Sequence, residues 1–214
     1  GAIAAGAAGC AADTKPVAYS RMGLLGTLCK ITTWGPAERA ANAAFERIGV
    51  IDGRMSANHD GSDVHRINAA AGVSPVAVSA DTYSVVREAL AISRLGDGRF
   101  DLTVGPLVRL WGIGTDDARV PAAGEIAAAL ALVDWRTVAV SDADSTVFLA
   151  RPGAAIDLGA IAKGYAADAA VAVLAANGVT TALVDLGGNI VTLGAKPDGS
   201  PWRIGLQDPD PSVP

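Results

Sequence analysis

The sequence predicts an α+β fold: a mixed, largely antiparallel sheet with packed helices. Two-residue alternation recurs in short stretches that pair across turns, as antiparallel hairpins do. Stretches with apolar residues three and four apart lie between them, without the strict strand–helix alternation of a parallel α/β sheet. Half of the 214 residues are hydrophobic and 18% are charged, enough to bury a core in one domain or two small ones.

Residues 17–34 read as paired strands, with Met22–Thr27 as the turn. Pro36 suits a first helical turn. Ala41, Phe45, Ile48 and Met55 then share one face, so a helix is expected to about Met55. No single periodicity explains the polar stretch Ser56–Asn68; Ser62 or Asp63 could cap the turn that follows Met55–Asp63. Ser79 is an N-cap for a helix to about Leu95, with Val86, Ala89, Leu90 and Ser93 inward. Gly96-Asp97-Gly98 ends it. Phe100–Gly114 is dense in glycine and carries Pro106 and Trp111. A helix is expected from about Ala122 to Val133, then a hairpin of Thr137–Val140 and Thr146–Leu149 around Asp142–Ser145. Ala154–Leu158 reads as a strand entering an alanine-rich helix near Ala160, which stops at Asn177-Gly178. Thr181–Leu186, the Gly187-Gly188 turn, Asn189–Leu193 and a last strand Trp202–Leu206 complete the order.

Composition excludes several functions. Lys+Arg 17 against Asp+Glu 22 leaves a net charge of −5 and no basic cluster, which argues against nucleic acid as the main partner. Two cysteines, Cys10 and Cys29, exclude a disulfide scaffold. Two histidines, His59 and His65, make a multi-histidine metal site improbable. No uninterrupted apolar run reaches the roughly 18 residues that span a bilayer. Gly1–Cys10 is a run of small apolar residues ending in cysteine, similar to the tail of a lipoprotein signal. Residues 1–19 are therefore expected to be a leader or lipoprotein-type segment, with Cys10 as a lipid anchor and the protein exported, periplasmic or membrane-bound. Residues 20–214 are expected to form the functional domain.

Four blocks could carry chemistry. In Asp157-Leu158-Gly159-Ala160-Ile161-Ala162-Lys163-Gly164 a strand delivers a carboxylate and a helix starts beside a lysine. Helix-start N–H groups attract anions, and small residues let a phosphate approach. The Lys-Gly order is not that of a P-loop. The block reads equally as tight strand–helix packing. Asp185-Leu186-Gly187-Gly188-Asn189 permits positive φ or close ligand approach, or is an ordinary hairpin turn. Arg99-Phe100-Asp101 precedes a rigid Gly105-Pro106; Phe100 could stack on a planar ring or anchor the core, and Asp101 could cap a short helix. Met55–Asp63 reads as a solvated loop. Cys29 reads as a small buried residue rather than a nucleophile.

The order of these blocks resembles one family. Met22-Gly23, Met55-Ser56 through Asn68, FDLTVGPLVRLWGIG, IDLGAIAKGYAAD, ALVDLGGNI and Trp202 to Asp208-Pro209 are similar to the FAD:protein FMN transferases, the ApbE-type flavin transferases, over roughly residues 20–210. The resemblance implies an Mg²⁺-dependent enzyme. It would cleave the FAD pyrophosphate, attach FMN to a threonine or serine hydroxyl of a target protein and release AMP. It implies that Met22 and Asn58 line the flavin, that Arg99, Phe100 and Asp101 contact FAD, that Asp157 and Lys163 hold the nucleotide, and that the Ala160 carbonyl binds Mg²⁺. No catalytic base is assigned. Asn58 stands where the family often has tyrosine, which implies easier water access and some FAD hydrolysis. The family's later His-x-x-Asp-Pro loop and Asp/Thr motif, which supplies most metal ligands, has no match here. The domain is therefore expected to be incomplete at its C-terminal side. An FAD pyrophosphatase and a non-catalytic flavin-binding lipoprotein are the alternatives.

Overall fold

The computed structural model describes residues 15–206 and 208–209. Cys10 and residues 1–14 of the expected 1–19 leader lie outside the described residues; Pro16–Tyr19, which that segment includes, open strand β1 and so belong to the fold. Two sheets and six helices form in the order β1 (Pro16–Met22), β2 (Leu28–Trp34), α1 (Glu38–Met55), α2 (Asp63–Ala69), β3 (Val76–Ala77), α3 (Ala80–Leu95), α4 (Gly105–Trp111), α5 (Ala123–Leu130), β4 (Val138–Ser141), β5 (Thr146–Leu149), α6 (Gly159–Ala176), β6 (Ala182–Leu186) and β7 (Asn189–Leu193). The larger sheet runs β1-β2-β6-β7 and the smaller β3-β5-β4, with every strand pairing antiparallel. This is the predicted α+β architecture.

Alternation builds the larger sheet. Cys29, Ile31 and Thr33 of β2 and Ala182, Val184 and Leu186 of β6 are buried, while the residues between them are not. α6 packs on β6, β7 and α1. It presents Ala162, Ala166, Ala167, Ala170 and Leu174 inward. Its length and mean hydropathy of 1.3 are those of a membrane-crossing helix, yet this alanine face belongs to the core cluster of the fold. The turn between β6 and β7 places Gly187 and Gly188 at φ 63 and 90, as the glycine pair predicts. Ser79 caps α3 by accepting the Thr82 N–H at 3.3 Å.

Three sequence expectations are corrected, and one element is new. The turn expected after a Ser62 cap extends into a helix, α2: Ser62 caps it as the sequence suggests, accepting the His65 N–H at 2.9 Å, but the helix runs over Asp63–Ala69, where no periodicity announces it. Val76–Ala77, which had no reading, is an edge strand. Ala154–Leu158 joins neither sheet; it makes one isolated parallel bridge, Ala155 to Val104. Trp202–Leu206 forms no strand among the described residues, and Leu206 is 95% exposed.

Candidate active site

A cleft of about 850 Å³ opens between α1, α4 with the loop after it, and the start of α6. That is within the range of small-molecule and cofactor sites. One wall is Asp52, Met55, Ser56, Ala57 and Asn58; another runs from Gly105 to Arg119; the floor is Asn68, Ile156, Asp157 and Leu158, with Lys163 above it. Segments far apart in sequence therefore converge on one concavity.

The floor is held by backbone geometry. The Asp157 N–H donates to the Leu102 carbonyl at 2.9 Å, and the Gly105 N–H to the Ala155 carbonyl at 3.2 Å. On the opposite edge the Asn68 side chain takes the place of a strand: its Nδ2 donates to the Ile156 carbonyl at 3.0 Å and its Oδ1 accepts the Ile156 N–H at 2.7 Å. Asp157 Oδ1 accepts the Gly159 N–H at 2.8 Å, at the N-terminus of α6. A negative group there complements the helix dipole.

Charge in the cleft is mixed. Asp52, Asp117 and Asp157 face Arg109, Arg119 and Lys163. Arg119 is already engaged by Glu125 in a two-point pair at 2.9 and 2.7 Å. Among the described residues Arg109 and Lys163 carry no such pair, so they are the cations left for a ligand.

Of the residues expected in the site, Asn58, Asp157 and Lys163 come together in this cleft. Arg99 and Asp101 line a separate concavity with Trp135, Arg136 and Arg151. The Asp101 carboxylate is committed there: Oδ1 accepts the Thr103 N–H and hydroxyl at 2.8 and 2.6 Å, and Oδ2 accepts the Trp135 N–H at 3.0 Å. Phe100 packs against the core cluster. Met22 ends β1, 78% exposed, outside the walls of the cleft. Ala160 is exposed in the first turn of α6. Cys29 is buried, and burial pushes its thiol up, with Asp52 and Asp185 adding and Lys163 opposing. Such a thiol is a poor nucleophile.

The ApbE family pattern matches residues 25–214. The chain belongs to the ApbE family. It is 39% identical over 197 residues to a Klebsiella pneumoniae protein named FAD:protein FMN transferase, covering 92% of this chain and 60% of that protein. A Treponema pallidum protein of the same name is 36% identical over 97% of this chain and 62% of its own length. Among solved structures, the ApbE protein of Thermotoga maritima superposes with a TM-score of 0.84 at 33% identity, covering 92% of this chain and 64% of that one. The flavin transferase ApbE of Vibrio cholerae superposes at 0.82 with 30% identity, covering 92% and 65%. This chain thus spans less than two thirds of the length of those ApbE-family proteins.

The donor set does not fit a metal ion by itself. Among the described residues no three His, Cys, Asp or Glu side chains cluster so as to hold one. Ala160 offers only a carbonyl, which belongs to the helix's own hydrogen-bond ladder.

A second polar centre, which the sequence did not reveal, braces the helices beside this ApbE-family cleft. Asp81 at the start of α3 binds Arg47 at 2.8 and 2.5 Å and Arg54 at 2.6 Å, both on α1, and the Tyr165 hydroxyl of α6 at 2.7 Å. Its one sequence signal is an acidic residue two positions after the Ser79 cap.

Proposed function

We propose that this domain is the flavin-nucleotide-binding part of an FAD:protein FMN transferase. The carrying observation is the convergence of Asp157, Lys163 and the α6 N-terminus on a cleft large enough for a nucleotide. The names of the ApbE-family relatives support the choice of FAD. In this reading Lys163 and Arg109 offset the charge of the FAD pyrophosphate. The Asp157 carboxylate keeps an oxygen for a hydroxyl or N–H of the nucleotide, and Asn58 borders the flavin. The hydroxyl oxygen of an acceptor threonine or serine forms a bond to the phosphorus of the FMN half as the P–O bond to AMP breaks; AMP leaves, and the hydroxyl proton is released to solvent. Met22, Arg99 and Phe100 would reach FAD only from outside the cleft walls. Asp101 would then act by fixing the Leu102–Gly105 segment. The magnesium dependence implied by the resemblance has no support in the donor set of the described residues. Export and a lipid on Cys10 are proposed from the sequence of Gly1–Cys10 alone; mass analysis of the protein made in a bacterial host tests them.

The test is incubation with FAD, with and without Mg²⁺, beside a threonine-bearing acceptor protein. AMP release together with flavin mass on the acceptor is expected. AMP with free FMN and an unmodified acceptor would replace transfer by pyrophosphate hydrolysis. FAD bound but left intact would reduce the role of this chain to binding. Absence of FAD binding would overturn the proposal.

A further inference from the structure

Resting on the reading above, we infer that Asn68 is a positioning residue for the nucleotide. Its amide holds the Ile156–Asp157 backbone in register so that the Asp157 carboxylate and the start of α6 face the cleft. Residues 155–157 are extended but belong to neither sheet. One of their edges is tied to Leu102 and Gly105. The other edge would require a further strand, and a strand there would fill the cleft. Asn68 supplies the missing donor and acceptor from a single side chain, across 88 positions of sequence.

Asparagine is chemically suited to this. Its amide carries an N–H donor and an oxygen acceptor on one plane, and so can meet both backbone groups of one residue. An ionised aspartate can accept but not donate, and would set an oxygen against the Ile156 carbonyl. Leucine or alanine would leave both Ile156 groups without a partner, a costly state when part-buried. Asn68 itself lines the cleft, next to Ile156 and Asp157. It sits on the last turn of α2, so the short helix that the sequence concealed delivers it. Asp157 is thereby fixed from three directions: its own N–H to Leu102, Ile156 to Asn68, and its carboxylate to Gly159.

The experiment is FAD titration of the whole protein carrying Asn68→Asp or Asn68→Ala, Asp157→Ala, and each pair combined. Far-UV circular dichroism and urea unfolding are measured on the same samples. About tenfold weaker FAD binding is expected for Asn68→Asp in a folded protein. In the Asp157→Ala background the uncharged substitution Asn68→Ala, which adds no repulsion of the pyrophosphate, is expected to cost far less than in the unsubstituted protein, because the group Asn68 positions is gone. Asn68→Ala is read identically if Asn68→Asp does not fold. Wild-type affinity in a folded Asn68 variant, or an undiminished loss in the Asp157→Ala background, would overturn the inference and leave the proposed function standing. Failure of the unsubstituted protein to bind FAD removes the proposed function, and this inference with it, before any variant is compared.

Discussion

Gly105 lies so close to the backbone of Ala155 that a Cβ on it would stand 2.7 Å from the Ala155 carbonyl oxygen. This contact joins the first turn of α4 to the floor of the cleft. The opposing atoms are the Ala155 carbonyl and its Cβ, so no side-chain rotation relieves a clash. Gly105→Ala is therefore expected to cost about 2 kcal/mol of stability through overpacking. It should also weaken FAD binding by shifting one cleft wall against the other. Urea unfolding and FAD titration check both effects, and an Ala variant with unchanged midpoint and affinity would show the contact to be slack.

Asp81 contributes to the acid stability of the helical layer. The Arg47 guanidinium, hydrogen-bonded to it, holds its carboxyl well below the usual carboxylate range against the opposing effect of burial; Tyr165 and Arg54 add to this. A carboxyl lowered in the folded state contributes stability that is complete above its unfolded value, about 3.9. That contribution is lost as pH falls from there through the folded value. Asp81→Asn is expected to cost about 1–2 kcal/mol at pH 7: Arg47 and Arg54 lose their charged partner, but both are partly exposed and water takes up part of the loss. The gap between the two proteins should narrow as pH is lowered below 4. Paired urea titrations across that window read it; a gap independent of pH would place the stabilisation elsewhere.

Lys163 is the cation nearest the start of α6 in the cleft. Lys163→Met keeps the aliphatic stem and removes the charge. FAD affinity is expected to fall about tenfold, the size of a charge-assisted contact. The dependence of binding on salt should become shallower. Isothermal titration at two ionic strengths would show it, and affinity unaltered by the substitution would remove Lys163 from the site.

Asn58 is exposed on the cleft rim, its N–H donating to Ser56 Oγ at 3.2 Å. A tyrosine there would cover one side of a bound flavin and exclude water. Asn58→Tyr is expected to lower free FMN relative to flavinylated acceptor. Chromatography of the products from a single reaction measures the ratio, and an unchanged ratio discards the idea.

The elements whose pattern is local were legible. Ser79 announced α3, the glycine pair announced the β6–β7 turn, and Ala41, Phe45 and Ile48 announced the buried face of α1. α2 was not, because it has only two turns and only Val64 and Ile67 as its buried apolar residues. Two such positions do not establish a period. Ala154–Leu158 reads as a strand because extended backbone with buried apolar residues is the same signal whether or not a strand lies alongside. Here the partner is a side chain. The cleft is half legible: Asp157, Lys163 and Asn58 stand out within recognisable blocks, Asn68 and Arg109 lie in such blocks without a role that the pattern assigns, and Asp52 lies in none.

The amino-acid order by itself determined the periodic elements, their caps and the family, because capping, alternation and motif spacing act within a few residues. Only the tertiary structure decided which groups meet. Asn68 reaching Ile156, Gly105 touching Ala155, and Asp81 gathering two arginines and a tyrosine all depend on chain closure between distant segments. Such pairings are set by packing and by the demand that buried polar groups find partners. A linear pattern carries no term for either.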